Sequence, residues 1–226
     1  MRDRGFERFA PLAGVVFLAL AIISFALEGS SPDSNDSTAK VVRYWSQHDS
    51  RNIASAIIIV FAALFLVWFG ATLRTAIWRA EGGSGRLAAI AFAATVITAT
   101  GIMVSATLQL AIADTVGDIS ADGTHTLSAL YSDFFLPFVG GFLLLNVATA
   151  VAILKYRVLP RWLGWVIVLI VIVGVTPVAF ISFIATVVWI GVAGVILFVR
   201  GAHEPSAPPP PSAGGGAAVM AGSSAP

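Results

Sequence analysis

The sequence predicts an all-α fold, a polytopic transmembrane bundle of six helices with a cytoplasmic N-terminus. Three observations carry that prediction. The 13 basic and 12 acidic residues all lie outside five apolar runs, Pro11–Leu27, Ile53–Leu73, Leu87–Ala113, Phe134–Leu154 and Trp162–Val199. A soluble helix of that length alternates apolar and polar faces, whereas a spanning helix is apolar all round. Of the 226 residues 58% are hydrophobic and only 11% charged, against about 25% charged in soluble domains. Basic residues, finally, recur in alternate connections, as the preference for short cytoplasmic loops demands.

The first four runs have 17, 21, 27 and 21 residues, and each suits one crossing of a hydrocarbon core that takes about 20. The expected helices cover 10–27, 53–74, 87–113 and 133–154. The first has an Arg-rich start (Arg2, Arg4, Arg8) but an apolar segment longer than a secretory h-region, and Leu27-Glu28-Gly29 is a poor cleavage site. It is read as an uncleaved first span. The fifth run has 38 residues, roughly 57 Å as one helix against a core of about 30 Å. It is expected to hold two helices, 161–179 and 182–199, broken around Gly174, Pro177 and Ser182, because Pro177 lacks a backbone donor and biases Thr176 away from helix. If Pro177 only kinks a single tilted helix, the count is five.

Orientation follows from the loops. The N-terminus carries three arginines, segment 74–86 carries Arg74, Arg79 and Arg86, and segment 155–161 carries Lys155, Arg157 and Arg161. Segment 114–133 carries no base, and in segment 28–52 Lys40, Arg43 and Arg51 are balanced by Glu28, Asp33, Asp36 and Asp49. The basic side is therefore cytoplasmic. Six helices also put Arg200 and the tail there. Trp68, Trp78, Trp162 and Trp165 then mark the inner headgroup level, and Tyr44, Trp45 and Tyr131 the outer one. Eleven arginines to two lysines, with abundant Ala, Gly and Val, point to a high-GC bacterial gene and hence to the bacterial inner membrane.

Outside the runs, residues 37–49 read as a short amphipathic helix with Ser37 as N-cap and Val41, Val42 and Trp45 on one side. It is expected to lie on the outer membrane surface. The alternative is a lid over an outer pocket, with Tyr44, Trp45 and His48 as contacts. Residues 201–226, with Pro208–Pro211, are too rich in Pro, Gly and Ala to form a core and are read as a disordered cytoplasmic tail.

The composition excludes much chemistry. Cysteine is absent, which removes disulfides, thiolate metal sites and cysteine nucleophiles. With no Asp, Glu, Lys or Arg in the runs, a carboxylate proton relay and a Schiff-base lysine are excluded. His48, His125 and His203 all fall in loops, so no haem or intramembrane zinc is expected. Gly82-Gly83-Ser84-Gly85 lacks the Lys-Ser/Thr of a phosphate loop. A net charge of +1 gives no pull on nucleic acid. No cofactor is implied.

Six polar positions remain as candidates. Asp114, His125 and Asp133 lie in the outer acidic segment with Asp118 and Asp122, and are weak candidates for a divalent cation or a proton. Asp118-Ile119-Ser120-Ala121-Asp122-Gly123 resembles the first half of a calcium loop, but the twelfth position, which needs a bidentate Glu, is Ala129. Within the runs Gln109 and Asn146 differ in depth by roughly 15–20 Å at 1.5 Å per residue. Asn146 is expected level with Thr95 and Thr98, and Gln109 near Asp133. Both suit hydrogen bonds between helices, with Thr98, Asn146 and Gln109 as the alternative contacts for a neutral solute. Gly101-x-x-x-Ser105, Gly140-Gly141 and Gly191-x-x-Gly194 are stripes for close helix packing.

At Leu159-Pro160-Arg161-Trp162-Leu163-Gly164-Trp165, at Val41-Val42-Arg43-Tyr44-Trp45 and at Phe69-Gly70-Ala71-Thr72-Leu73-Arg74, the chain resembles an uncharacterised family of bacterial six-helix integral membrane proteins. The likeness covers roughly residues 10–199 and implies topology, with no activity to carry over. The expected function is a non-enzymatic accessory or sensor subunit working through lipid, a membrane-protein partner or a second copy. A carrier or channel for a neutral or apolar solute is the alternative, and a membrane hydrolase using the outer Asp/His set comes third.

Overall fold

The computed structural model describes residues 9–33, 35–174, 176 and 179–203. The described residues form helices joined by short turns and loops, without strands. After a 3₁₀ turn, Ala10–Leu12, the helices are α1 (Ala13–Glu28), α2 (Thr38–Gln47), α3 (Asp49–Glu81), α4 (Arg86–Thr115), α5 (Ala121–Asp133), α6 (Leu136–Tyr156), α7 (Arg161–Gly174) and α8 (Ala179–His203). Among the described residues five segments are long and apolar enough to cross a membrane: Ala10–Glu28, Asp49–Glu81, Arg86–Thr115, Ala121–Tyr156 and Phe180–Arg200. α7 is apolar but has only 14 residues, about 21 Å of helix. The 38-residue run is thus divided into two helices rather than kinked, α7 ending at Gly174 and α8 starting at Ala179. Pro177, the proposed breakpoint, lies outside the described residues, as do the N-terminal arginines and the tail from residue 204.

Six helices close into a ring in the order α1, α3, α4, α6, α7, α8, each packed on two neighbours. Its interior holds Phe17, Leu66, Phe69, Leu145, Ile153 and Ile190, all essentially inaccessible. The outward faces are equally apolar, with Ile22, Ile57, Phe61, Leu169 and Val188 exposed. Helices apolar on both faces need lipid around them. Trp68, Trp78, Trp162 and Trp165 are exposed, as interfacial anchors must be.

Close approach depends on small residues at particular points. A Cβ on Gly141 would collide with Thr98, and one on Gly101 would lie 2.8 Å from the Phe138 amide nitrogen; these two points join α4 and α6. Gly14 and Gly194 do the same for α1 and α8, where added Cβ atoms would sit 2.8 Å from the Ile190 carbonyl oxygen and 2.7 Å from that of Pro11. Gly140, by contrast, faces open space, so only the second glycine of that pair is a packing position.

One end of the ring gathers the basic residues. Phe9 stacks on Phe198 with centroids 5.8 Å apart, Arg200 Nη1 donates to the Val158 carbonyl at 2.8 Å, and the Glu81 carboxylate caps α4 by accepting from the Leu87 and Ala88 amides at 3.0 Å. The start of α1, the 82–85 turn, the 157–160 loop and the end of α8 therefore lie together.

The other end is closed by a cap of α2 and α5, close to the lid that the sequence reading held as its alternative for residues 37–49. At roughly 50 Å and 45 Å by helical rise, α3 and α4 are longer than a bilayer core is thick. Against the outer part of α4, α2 buries Val41 and Trp45 on Ile112 and Ala113, with Leu127 and Tyr131 of α5 alongside. The 37–49 segment is therefore not a surface-lying helix with Trp45 at the headgroups. Trp45 is fully buried and donates Nε1 to Ser128 Oγ at 3.1 Å. Ser37 is the N-cap by backbone position, without a side-chain bond. Residues 121–133, read as loop, form α5. Ser120 accepts from the Gly123 amide at 3.1 Å, so the calcium-like segment is a helix N-cap.

Candidate functional site

Between the cap and the packed interior lies a partly open cavity of about 100 Å³, lined from α1, α3, α4, α5, α6 and α8. Its wall is aromatic, with Phe17, Phe25, Phe138, Phe142 and Phe183. Phe183 is the hub, its centroid 5.6 Å from Phe25, 5.9 Å from Phe138 and 5.6 Å from Phe142. Polar groups in the lining are Ser24, Glu28, Ser105, Gln109 and Tyr131. All belong to the cap-side parts of their helices, so the cavity is polar toward the cap and apolar away from it.

Glu28 organises the polar end. It is the last residue of α1, where Gly29 at φ 70° ends the helix, because a left-handed residue costs glycine little. Tyr131 of α5 donates its hydroxyl to Glu28 Oε1 at 2.7 Å, and Tyr44 of α2 donates to the Glu28 carbonyl at 2.8 Å. Burial, reinforced by the Glu28 carboxylate, holds the Tyr44 phenol above its usual pKa, so it stays a neutral donor. Arg51 donates Nε and Nη2 to the Leu27 carbonyl at 3.0 and 2.7 Å. Both cap helices are thereby tied to the end of α1. The sequence reading had counted Glu28 as balancing loop charge; the structure makes it part of the cavity lining.

Ser24 and Ser55 clamp α1 to α3 beside this site. Their hydroxyls are 2.9 Å apart, and each reaches the other's carbonyl, at 3.1 and 3.0 Å. Such small hydroxyl contacts hold membrane helices together where lipid offers no alternative partner.

Of the six candidate positions, Gln109 alone lines the cavity. Its hydrogen-bond partner is Asn52 of α3, to whose Oδ1 it donates Nε2 at 3.4 Å. Asn52 is fully buried, and its Nδ2 has no partner among the described residues. Buried polar atoms are rarely left so, which marks a donor left over beside the polar end. Thr98 bonds back to the Ala94 carbonyl at 2.9 Å and packs on Gly141. Asp114 and Asp133 are exposed, and His125 Nε2 donates to the Asp36 carbonyl at 3.1 Å, joining α5 to the segment before α2. The structure does not bring Asp114, His125 and Asp133 together, and among the described residues no three His, Asp or Glu side chains gather as a metal would need.

Asn146 does not face Thr95 and Thr98. It lies in the interior, donating Nδ2 to Thr186 Oγ1 at 2.9 Å and accepting from Trp189 Nε1 at 2.7 Å. Both partners are on α8, so this bond joins the ring contacts of Phe138 and Phe142 with Phe183 in tying α6 to α8. Asn146→Leu leaves a buried indole N–H unpaired, a cost of about 1–3 kcal/mol. The expected result is a lower thermal midpoint for the purified protein. Trp189→Phe in the same background should add less than it costs alone, and full additivity would show the bond carries nothing.

No protein-family model, curated protein or solved structure matches this chain. The functional reading therefore stands on the geometry of the cavity and its cap.

Proposed function

We propose that the chain is a six-pass protein of the bacterial inner membrane, N-terminus inside, acting without catalysis as a sensor or accessory subunit. Its signal is a small, largely apolar molecule bound in the cavity beneath the cap. The observation that carries this reading is the cavity itself, with phenylalanine walls, a few converging polar groups and a roof of α2 and α5 bonded to one of its lining residues. Binding sites commonly combine apolar walls with a small number of placed polar groups. The topology is supported by seven basic residues near one end of the ring (Arg74, Arg79, Arg86, Lys155, Arg157, Arg161, Arg200) against three around the cap (Lys40, Arg43, Arg51), which favours the first end as cytoplasmic. α7 counts as the fifth span in this reading. The six-helix family resemblance at Leu159–Trp165 belongs to the same proposal.

The carrier alternative is less well supported. On the inner side of the cavity Leu66, Phe69, Leu145, Trp189 and Ile190 are packed and buried, so the site is a dead end. A sensor needs an occupant that changes how the cap sits, not a path through the ring.

The test uses the full chain in lipid nanodiscs with a diazirine-bearing short-chain alcohol as photoprobe. The expected adducts lie on Phe142, Phe183 and Ile102, are competed by excess unlabelled alcohol, and are lost in Ser105→Phe, which fills the cavity from its half-buried edge. Adducts confined to outward residues such as Ile22 and Leu169 would overturn the reading.

A further inference from the structure

The lining pairs one carboxylate with a set of phenyl rings and includes no basic side chain. Glu28 is half-buried, and its side-chain partner is the neutral hydroxyl of Tyr131. The neighbouring cation, Arg51, spends its Nε and Nη2 on the Leu27 carbonyl. Among the described residues no base is bonded to or paired with the Glu28 side chain. A charge moved out of water with only a dipole for company is poorly compensated, and a mobile counter-charge improves it.

The rings supply the second requirement. Phe25, Phe138 and Phe142 surround Phe183 at centroid distances of 5.6–5.9 Å, and Phe25, on the lining, is 43% exposed. Aromatic faces carry negative charge density and attract organic cations, more so where water is excluded. The cap surface adds a field of the same sign. Asp114, Asp118, Asp122 and Asp133 are exposed beside or on α5, and with Asp33, Asp36 and Asp49 they outnumber the cap's bases Lys40, Arg43 and Arg51, so the net field there favours a cation. An anionic ligand would meet Glu28 and this field as repulsion, and a neutral one could offer the carboxylate only a hydrogen bond of the kind Tyr131 already supplies.

Resting on the cavity reading above, we propose that the ligand is a small lipophilic monocation, an organic ammonium whose charge sits at Glu28 and whose alkyl or aryl groups lie against the phenylalanine rings. Tyr131 then changes role. The cation competes with its hydroxyl for Glu28 Oε1, so occupancy loosens the bond joining α5 to α1.

The test compares ethyltrimethylammonium with its uncharged isostere 2,2-dimethylbutane, both small enough for the cavity, as competitors of the photoprobe, in nanodiscs and at matched membrane concentrations. The ammonium is expected to displace labelling at about tenfold lower concentration. Glu28→Gln, which keeps an acceptor for Tyr131, should erase that advantage and leave the isostere's potency unchanged. Phe183→Leu should weaken the ammonium more than the isostere. Equal potency of the two compounds, or an advantage that survives Glu28→Gln, overturns the cation assignment while leaving the cavity reading intact. Absence of cavity labelling by the photoprobe itself overturns both.

Discussion

Replacing Trp45 by Ala is expected to release the outer cap while the helical ring stays folded. Trp45 is fully buried between α2, α4 and α5, and three contacts converge on it. Its indole N–H reaches Ser128 at 3.1 Å, and its ring meets Tyr44 and Tyr131 edge-on, with centroids 5.4 and 5.9 Å away. Truncating a buried Trp to Ala costs about 3–5 kcal/mol. The loss falls on a small satellite cluster, not on the main core. What remains to hold the cap is Val41 and Leu127 against Ile112 and Ala113, the Glu28 bonds and the His125–Asp36 contact. Local opening draws on this regional stability and not on the global value. Amide exchange in α2 and α5 should therefore speed up by roughly two to three orders of magnitude, at 1.4 kcal/mol per factor of ten, while α4 and α6 keep their protection. Uniform loss of protection would show that cap and ring unfold as one unit. An unchanged cap would show that Trp45 is not its keystone.

The second large effect is expected from Gly141→Leu. The atoms a Cβ would strike belong to Thr98, including its backbone nitrogen and Cα, so no side-chain rotation relieves the clash. α4 and α6 must separate, and Gly101 against Phe138 is forced apart with them. Overpacking a tight core costs typically 1–3 kcal/mol, more where backbone is the obstacle. Here it also opens contacts that have no hydrophobic drive behind them, since lipid competes equally well for apolar surface. A loss of about 3 kcal/mol or more is expected, measured as a fall in folded yield and thermal midpoint. Gly140→Leu, one position away and facing open space, is the control and should behave like the parent. Equal damage from both would mean that glycine's backbone freedom, not its size, is what α6 requires.

The helices themselves were legible because a charge-free run has few ways to exist other than in a bilayer. Their ends were less so. α3 runs to Asp49 and Glu81, well past Ile53–Leu73, since a helix continues into water wherever no breaker stops it, and here that waits for Gly82. Asn52 was overlooked for a related reason. It stands one residue before the first apolar position of its run, yet the helix turns it fully inward. Asn146 shows a different limit. Its depth could be counted along the chain, but its partners depend on how α6 is rotated. A helix apolar on every face offers no moment from which to read that rotation. Thr186 and Trp189 were therefore invisible beside the more obvious Thr98. The cap had a faint signal in Thr124 and Ser128, four apart in an otherwise acidic segment, with Leu127 and Tyr131 repeating the spacing. That pair of stripes marks a helix with a small-residue face, and it was outweighed by the acidic composition, which reads as a solvated loop.

One joint has a mechanical meaning. Only Phe134 and Phe135 separate α5 from α6, and backbone bonds continue on both sides of the break, from the Phe134 amide to Tyr131 and from Val139 to Phe135, at 3.2 and 3.0 Å. The roof is thus the upper arm of a crank whose lower arm is α6. Swinging α5 away from α1 applies torque to α6, and about 15 Å further in that arm carries Asn146, bolted to α8. A movement of the roof would therefore be felt at α8, which stands next but one to α6 in the ring.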